Sequence, residues 1–361
     1  MKRVRILYLM HTPWGWIKQR PHFLAEGLFL ENDVTVVFKK EYVSRTLTNN
    51  ELTVPHVELF RLPFERFWII RLISSLLIKL QIVLIINSYD VIWLTHPMLL
   101  SWVPRKFTRK CMIYDCMDDA LEFKMTEDKR IKLKTKEEFI YNNSSLVFSS
   151  SEYLKQKLIS RYGYRDITVV NNALNKVSSE LSSHISKEEI YNNCSFKIIY
   201  IGTISSWFDF KLIDLLLKEY NNIELYLYGP TEVVIPMHNR IHYKGPIEHN
   251  LVYSVMAQAN LLIMPFIVNE LIRSVNPVKL YEYISSGVPS LAPRYNESEK
   301  FEDYVFLYST HEECIKIVYK IMKGELQNKR DICDCIQFAK SNTWNNRVDV
   351  INKCINKVIN E

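Results

Sequence analysis

Glycine is scarce in this sequence, with 8 residues among 361. So few glycines exclude collagen-like and silk-like chains and argue against long glycine-rich linkers. No G-x-G-x-x-G motif follows either of the two apolar runs that open the halves of the chain, so a dinucleotide oxidoreductase is disfavoured. Each glycine at a turn or at a strand end is correspondingly more informative.

Cysteines are also too few and too irregular for a disulfide framework. There are seven, an odd number, and no C-x-x-C pair occurs. This usage is typical of a reducing compartment, and it predicts neither disulfides nor a zinc site. The first residues, MKRVRILYLMHTPWGW, are basic and then apolar. That run is too short to span a membrane and has no small-residue cleavage site, so it is interpreted as a buried first strand.

Composition and charge suggest a soluble protein of about two domains. The chain is 48% hydrophobic and 24% charged, with a net charge of +6. Residues 1–180 hold 27 basic and 19 acidic side chains, a balance of +8, whereas residues 181–361 hold 19 and 21, a balance of −2. The first half is therefore expected to face an anionic partner. Without zinc spacing, an RNP-like run or an arginine-rich tract, an anionic membrane surface is favoured over nucleic acid.

Short apolar runs alternate with amphipathic segments in both halves of the chain. Runs of this kind are typical of parallel strands that are buried on both faces. The sequence therefore predicts an α/β fold with two Rossmann-like, doubly wound parallel sheets. The predicted strands cover 4–10, 34–38, 91–94, 112–115 and 146–150, then 197–203, 223–229, 241–245 and 261–266.

A polar, serine-rich stretch at 175–195 is interpreted as the interdomain linker. The predicted domains are accordingly 1–180 and 181–340. Residues 341–361 form a last helix, because Val348, Ile351, Ile355 and Val358 share one helical face.

Residues 67–88 approach the length of a membrane span. Arg71, Lys79 and Gln81 interrupt the apolar run, and a charge at the centre of a bilayer is costly. A helix that does not span is therefore favoured. Two interpretations remain open, a helix that rests on anionic lipid and an ordinary core helix.

The segment 264–289 carries the most specific chemistry. It predicts a strand, a polar loop and a helix that starts near Pro277, with Asn276 as the N-cap. A helix start at the carboxyl end of a parallel strand binds anions, and Lys279 adds a positive charge there. Glu282, three residues later, is placed to accept hydrogen bonds from sugar hydroxyls. Phosphate and hydroxyl recognition together describe a nucleotide-sugar, although a solvated Lys-Glu pair is the alternative.

This segment resembles the donor-binding segment of GT-B glycosyltransferases. The similarity is to the large retaining group (family 4-like) that includes bacterial polysaccharide and teichuronic-acid-type enzymes. The resemblance implies two domains facing across a cleft, with the last helix crossing back to the first domain. It also implies that Glu282 binds the ribose and that Arg273 and Lys279 hold the diphosphate. The residues it assigns to the donor are Gly202, Thr203, Gly229, Lys244, Arg273, Ser274, Asn276, Pro277, Lys279, Leu280 and Glu282.

The sequence departs from the family pattern at three positions. Ser274 stands where the first of two acidic residues is expected. Thr203 follows the glycine of the phosphate loop, and Asp209 lies where a lysine is expected. Diphosphate binding would therefore depend on Lys279, Arg273 and backbone amides.

Residues 12–28 resemble the N-terminal loop and helix of the same group, with its Gln-Arg-Pro-His sequence. Gly15 lets the backbone approach a ligand closely. Trp14 and Trp16 either stack on a sugar or pack the loop, and both interpretations remain open. The predicted substrate-binding residues are Trp14, Gly15, Trp16, Gln19, Arg20, His22, His96 and Asp118.

The segment 112–123 runs into three carboxylates, Asp115, Asp118 and Asp119, and resembles a Tyr-Asp-x-x-Asp-Asp stretch of polysaccharide glycosyltransferases. Acceptor-hydroxyl binding is the preferred role, with a Mg²⁺ site and a helix N-cap as alternatives. His96 ends a predicted strand and either contacts the donor sugar, transfers a proton or is structural. The candidate catalytic residues are Asp118, Asp119, His96, Lys279 and Glu282.

These patterns together predict a cytoplasmic glycosyltransferase, peripheral at the inner face of the cell membrane. It would move a sugar from a UDP- or GDP-sugar to a growing, lipid-linked polysaccharide, with retention implied by the resemblance. No metal and no cofactor beyond the nucleotide-sugar co-substrate is expected, and no nucleic-acid partner. Two alternatives stay open, a nucleotide-sugar epimerase of GT-B shape and a non-catalytic scaffold in a glycan-assembly complex.

Overall fold

The computed structural model describes residues 3–14, 18–40, 53–174, 195–248 and 251–360. The chain divides into two compact α/β units. The first unit comprises Met1–Asn172 together with Trp344–Glu361, and the second comprises Ala173–Thr343. Most of the predicted linker, residues 175–194, lies outside the described residues.

The first unit is built on a seven-stranded parallel sheet with the order β3-β2-β1-β4-β5-β6-β7, with elements numbered along the chain. Its strands are β1 Arg5–Leu9, β2 Asp33–Lys39, β3 His56–Leu59, β4 Val91–Leu94, β5 Cys111–Cys116, β6 Leu146–Ser149 and β7 Thr168–Val169. Its helices are α1 Arg20–Glu31, α2 Trp68–Ile85, α3 Glu127–Asn143, α4 Glu152–Tyr162 and α12 Trp344–Asn360.

The second unit has a six-stranded parallel sheet with the order β10-β9-β8-β11-β12-β13. Its strands are β8 Phe196–Ile201, β9 Ile223–Tyr228, β10 Ile241–Gly245, β11 Leu261–Ile263, β12 Ser290–Pro293 and β13 Phe306–Tyr308. Its helices are α5 Phe210–Glu219, α6 Val252–Met256, α7 Glu270–Ser274, α8 Val278–Ser286, α9 Asn296–Glu299, α10 His311–Met322 and α11 Ile332–Ser341.

Apolar side chains cover both faces of the second sheet. The neighbouring residues Ile198 and Ile199 of β8 point to opposite faces and belong to different core clusters. Consecutive residues of β8 are therefore both buried, and this is why it is a continuous apolar run. Burial alternates along β9, and β10 has no buried residue. The predicted pair of doubly wound parallel sheets is confirmed.

Four strands have no counterpart among the predicted ones: β3, β7, β12 and β13. They are short, at two to four residues each, and a short apolar run carries no usable periodicity. The predicted strand 261–266 ends at Ile263. Pro265 interrupts this segment and has no N–H for a ladder hydrogen bond.

The last helix, α12, packs against α1 within the first unit. Asn352 accepts a hydrogen bond from the Asn32 side chain at 3.0 Å and donates one to Glu31 at 2.9 Å. The rings of Phe23 and Trp344 stack with their centroids 5.3 Å apart. A buried polar pair and an aromatic stack therefore fix the register of the two helices.

Gly27 of α1 lies directly against Val348 of α12. A Cβ at this position would lie 2.5 Å from Cγ2 of Val348. We expect Gly27→Ala to destabilise the protein by about 1–3 kcal/mol through overpacking. In a Val348→Ala background the same change should be neutral or stabilise by up to about 1 kcal/mol, because alanine favours the helix. Urea unfolding of all four variants measures the coupling, and additive effects would contradict the close contact.

Candidate functional site

Three glycines lie at the carboxyl ends of neighbouring strands in the second unit: Gly202, Gly229 and Gly245 follow or end β8, β9 and β10. The Gly202 amide donates to Tyr228 and the Gly229 amide to Gly245, each at 2.8 Å. A Cβ on Gly229, whose φ is +130°, would lie 2.1 Å from the Gly202 carbonyl oxygen. The backbones are therefore packed too closely for any side chain at Gly229.

Lys279 lies beside this glycine cluster, in the first turn of α8. A Cβ on Gly202 would lie 3.3 Å from Cε of Lys279. The Lys279 ammonium donates to Oε2 of Glu282 at 2.8 Å, and the two side chains are 29% and 13% exposed. A partly exposed cation and a carboxylate are thus held together at the sheet edge beside Gly202, where the Tyr200 hydroxyl also lies.

The start of α8 differs from the prediction that Asn276 caps it. The N-cap is Pro277, and the helix begins at Val278. Asn276 is buried, accepts from the Tyr281 hydroxyl and donates to Glu297, both at 3.1 Å. Its side chain faces the interior because it hydrogen-bonds with two buried side chains, Tyr281 and Glu297.

The other residues predicted to bind the donor fall into two groups. The side chains of Ser274 and Leu280 are completely buried, and the Ser274 hydroxyl donates to the Leu271 carbonyl. Neither residue is therefore available to a ligand in this structure. Arg273 and Lys244 are exposed, with Arg273 3.8 Å from Glu270. The half-buried Thr203 accepts a hydrogen bond on its carbonyl from the Tyr200 hydroxyl.

Asp209, which stands where the family pattern has a lysine, has a structural role here. Its carboxylate caps α5 by accepting from the Leu212 amide at 2.9 Å, and it lies 2.8 Å from Nε2 of His311. An aspartate at this position therefore stabilises a helix start.

In the first unit, Arg20 is buried rather than open to a ligand. Its guanidinium binds Asp115 through Nε and Nη2, the latter at 2.7 Å, and Nη1 donates to the Val170 carbonyl at 2.6 Å. Both side chains of the ion pair are at most 2% exposed. Arg20 thus joins the start of α1, the end of β5 and the segment after β7.

Asp119 is also committed to an ion pair. Arg161 binds its two carboxylate oxygens at 2.8 and 2.6 Å, and Lys157 lies at 3.0 Å. Burial alone would raise the pKa of Asp119, but the hydrogen bonds and charges of Arg161 and Lys157 outweigh it and lower that pKa. Asp119 therefore anchors the loop after β5 to α4.

Asp118 differs from both neighbours, because no side chain in the described part of the chain binds its half-buried carboxylate. Burial raises the pKa of Asp118 to about 7, with Arg20 opposing this effect and the charges of Asp119 and Asp115 adding to it. Of the three predicted carboxylates, Asp118 is the one placed to exchange a proton near neutral pH.

The loop before α1 is held by its own side chains. Trp14 is 2% exposed, and its ring lies 5.2 Å from that of the fully buried His22. His22 accepts the Gln19 amide on Nδ1 at 3.1 Å, and Nε2 lies 3.3 Å from the Pro13 carbonyl. Burial lowers the pKa of His22 to about 4. Neither ring nitrogen is left for a sugar, whereas Gln19 is only half-buried.

Two predicted substrate-binding residues, Gly15 and Trp16, lie outside the described residues.

A pair of histidines lies at the carboxyl ends of β1 and β4. The rings of His11 and His96 are 4.8 Å apart. His96 accepts the Met98 amide on Nδ1 at 3.1 Å, so in its neutral form it carries the proton on Nε2. Burial, followed by the charge of Lys136, lowers the pKa of His96 to about 4. His96 is therefore a neutral hydrogen-bond donor at this edge.

His11 has the opposite polarity. Thr95 donates its hydroxyl to the Leu9 carbonyl at 3.2 Å and so accepts from Nδ1 of His11 at 3.1 Å. This leaves Nε2 of His11 as an acceptor. Burial, with contributions from His96 and His22, lowers the pKa of His11 to about 3. Together the rings offer one donor and one acceptor, as recognition of a hydroxyl group requires.

His11 is not among the site residues predicted from the sequence. Leu9 and Leu94 are the last paired residues of β1 and β4, and each histidine follows two residues later. The repeated spacing from strand to histidine was visible in the sequence. The sequence did not show that β1 and β4 are neighbours in the sheet, which is what brings the two histidines together.

Comparisons with known proteins bear on the fold. A scan against protein-family models found no match, and no curated protein sequence matched. Solved structures match over the whole chain. Sucrose-phosphate synthase from Thermosynechococcus elongatus has a TM-score of 0.75 at 11% identity, covering 99% of each chain. HepE from Anabaena in complex with UDP and glucose has a TM-score of 0.74 at 16% identity, covering 99% of this chain and 100% of that one.

A third match, trehalose-6-phosphate synthase from E. coli bound with UDP-2-fluoro glucose, has a TM-score of 0.67 at 9% identity and covers 98% of each chain. These similar structures are GT-B glycosyltransferases. The chain has the GT-B fold.

Within this GT-B fold, the two sheet edges carry different chemistry. The edge of the second unit combines two closely packed glycines, Gly202 and Gly229, with the ion pair of Lys279 and Glu282. The edge of the first unit combines neutral histidines with the Asp118 carboxyl. Ligands of parallel α/β sheets bind at such carboxyl ends.

Gly229 provides a test of the glycine cluster. We expect Gly229→Ala to destabilise the second unit by about 3 kcal/mol, because overpacking adds to backbone strain. Gly324→Ala is the matched control, because Gly324 also has a positive φ of +71° but a Cβ there would meet no atom within 4 Å. It should cost only about 1 kcal/mol. Equal losses in urea unfolding would show that the 2.1 Å approach at Gly229 has no energetic weight.

The raised pKa of Asp118 predicts a pH-dependent stability. Its folded pKa of about 7 lies above the ordinary value, so the folded state binds the proton more tightly. The contribution of Asp118 to wild-type stability should therefore fall between about pH 4 and pH 7, by at most about 1.4 kcal/mol per pH unit, and level off above. Asp118→Asn lacks this contribution. From pH 5 to pH 7 the melting temperature of the wild type should therefore fall steadily relative to that of the variant. A gap independent of pH would contradict the assignment.

Proposed function

We propose that this protein is a glycosyltransferase that uses a nucleotide-sugar donor. The observation that carries the proposal is the placement of Lys279 at the start of α8, beside Gly202 and bonded to Glu282. The start of α8 and the Lys279 ammonium together form a cationic site at the carboxyl edge of a parallel sheet, suited to a diphosphate.

The glycine cluster supports close approach of that diphosphate. With no side chain at Gly202 or Gly229, none projects from these strand ends toward the phosphates. The two amides donate to the Tyr228 and Gly245 carbonyls, so we assign the phosphate contacts to Lys279 and to the start of α8. Exposed Arg273 adds a second cation on the neighbouring short helix α7. Glu282 is placed one turn into α8, where its carboxylate accepts hydrogen bonds from ribose hydroxyls.

The similar structures support the same class of donor. HepE was determined with UDP and with UDP-glucose, and the E. coli structure with UDP-2-fluoro glucose. We infer a UDP-sugar as the first donor to test, with a GDP-sugar as the second.

For the first unit we propose acceptor binding by His11, His96 and Asp118. The histidines supply one acceptor and one donor for a hydroxyl group, and the Asp118 carboxyl, with a pKa of about 7, binds a further hydroxyl of the acceptor. The role of Asp119 is to hold the loop that carries Asp118, through its ion pair with Arg161.

The reaction is a group transfer in which one bond replaces another. The bond between the anomeric carbon and the diphosphate oxygen breaks, and the same carbon bonds to the acceptor hydroxyl oxygen. The acceptor proton passes to an oxygen of the leaving phosphate. Lys279 stabilises the charge that develops on that phosphate, which is usually the largest contribution to such catalysis. Transfer with retention is proposed from the family resemblance.

We further propose a hexose donor, an acceptor that is a lipid-linked cell-surface polysaccharide, and action at the cytoplasmic face of the membrane. The +8 balance of residues 1–180 supports an anionic partner for the first unit. That the reaction needs no metal and no further cofactor stays a prediction, as does the similarity to family 4 and teichuronic-acid-type enzymes.

Donor binding tests the proposal. UDP-, GDP-, dTDP- and CMP-sugars are screened by thermal shift, and titration calorimetry then measures Kd for the best of them. We expect Lys279→Met to raise Kd at least about tenfold, because a charge-assisted hydrogen bond contributes about 1.5–3 kcal/mol. Glu282→Gln should weaken binding of the nucleotide-sugar as well. Lys218→Met is the control, because Lys218 forms a similar pair with Asp214 at 2.7 Å on α5.

Three outcomes contradict the proposal in different ways. If no nucleotide-sugar binds, or if Lys279→Met and Lys218→Met bind alike, the donor site is wrong. If the donor sugar isomerises without an acceptor, the protein is an epimerase. If variants that no longer bind the donor, such as Lys279→Met, still sustain polysaccharide synthesis in cells, the protein acts as a scaffold.

A further inference from the structure

Helix α2 presents an apolar face outward. Its exposed large side chains recur at helical spacing along one stripe and are 44–74% exposed. We call this stripe the α2 face. Its members are Ile69, Leu72, Ile73, Leu76, Leu80 and Leu84. A surface helix normally turns such a stripe to the core and places polar residues outside.

The opposite side of α2 is what packs on the first unit. Only Ser74, Ile78 and Ile82 are buried, at intervals of four residues, and the two isoleucines join the core cluster. The interpretation of residues 67–88 as an ordinary core helix is therefore wrong, because the larger apolar stripe points away from the core.

The helix lies along the unit and is not free to cross a bilayer by itself. By length and composition, residues 68–88 would suffice for a membrane span. However, the Gln81 side chain accepts from the Phe60 amide and donates to the Phe60 carbonyl, both at 2.8 Å. With Ile78 and Ile82 in the core, these bonds hold α2 flat against the folded domain.

The apolar surface continues before the helix. Phe64 and Phe67, which precede α2, and Trp68, its first residue, are 53–68% exposed. Phe64 has a φ of +64°, and it is the one non-glycine residue with a positive φ in the described part of the chain. A bulky residue in this conformation is strained, and such strain concentrates at functional segments.

Basic side chains border the α2 face. Arg71 and Lys79 are the charged residues of α2, which contains no Asp or Glu. On the neighbouring helix α3, Lys132 and Lys136 lie close enough to Lys79 for the three charges to interact, since burial, Lys79 and Lys132 all lower the pKa of Lys136. An apolar stripe edged by cations matches the acyl chains and anionic headgroups of a lipid surface.

We propose that the α2 face seats the first unit on an anionic lipid bilayer, with α2 lying in the plane of the interface. A second copy of the chain is a poorer occupant. A symmetric dimer through this face would bring the same cations toward one another without an acid on the helix to pair with them.

The position of the α2 face also suggests how a membrane-borne acceptor reaches the site. This inference rests on the proposed function. Residues Pro97–Trp102, directly after His96, contact both α2 and α3. Lys136 is near enough to His96 to lower its pKa. A bilayer beneath α2 would therefore bring a membrane-borne acceptor to the edge that carries His96.

Vesicle co-sedimentation tests the surface without any sugar donor. Wild-type protein is mixed with vesicles of phosphatidylcholine alone or of phosphatidylcholine and phosphatidylglycerol in equal parts. We expect binding to the anionic vesicles that is at least about tenfold tighter than to the neutral ones. The variant Leu76→Glu/Leu80→Glu should lose this binding. Lys79→Gln should weaken it about fivefold, because each basic residue near an anionic surface contributes about 1 kcal/mol.

Val234→Glu/Met237→Glu is the matched control, because both side chains are at least 93% exposed in the second unit. It should bind vesicles like wild type. Retained nucleotide-sugar binding in the α2 variant shows that the protein is folded and separates this test from that of the donor site. Equal binding to both vesicle types, or none to either, would overturn the proposal. So would a wild-type dimer in analytical ultracentrifugation that Leu76→Glu/Leu80→Glu converts to a monomer.

Discussion

The buried ion pair between Arg20 and Asp115 organises the first unit. One guanidinium joins the start of α1, the end of β5 and the backbone after β7, which are far apart in sequence. Removing either partner of such a pair leaves an unpaired charge in the core, at a cost of about 3–5 kcal/mol. The same guanidinium acts on Asp118 through its charge, opposing the rise in its pKa. The protonation of Asp118 at that sheet edge thus depends on Arg20, whose own side chain is buried and not exposed to a ligand.

The sheet edges show how similar elements acquire different chemistry. Both are carboxyl edges of parallel sheets, where loops and helix starts meet. In the second unit, the Gly202 carbonyl leaves no room for a side chain at Gly229, and Lys279 forms an ion pair with Glu282 beside Gly202. In the first unit, burial keeps two histidines neutral and raises the pKa of an aspartate. The proposed roles of the two edges, anion binding in the second unit and hydroxyl binding in the first, follow from this difference.

The fold was largely predictable from the sequence, because buried parallel strands are continuous apolar runs of about five or six residues. Short strands such as β13 could not be predicted in this way, because three residues are too few to show a hydrophobic pattern. In the candidate site, the residue types and their positions at strand ends were predictable, as Lys279 and Asp118 illustrate. The sequence did not show which of these side chains are turned into the protein interior. Arg20 and Asp119 look like ligand-binding residues in the sequence, yet their partners lie up to 150 and 42 residues away, respectively. The partners of His22 are local, within nine residues, and the sequence did not show that the loop folds back onto its ring.

The return of α12 to the first unit has a consequence for the order of folding. Its buried residues, including Ile351 and Asn352, complete a surface formed by α1 near the start of the chain. During synthesis this surface stays uncovered while the whole of the second unit is made, because Ala173–Thr343 comes first. The second unit is continuous in sequence and can finish its own core earlier. The part of the molecule that is translated first is therefore the last to be complete, and a nascent chain must keep the exposed side of α1 from aggregating until then.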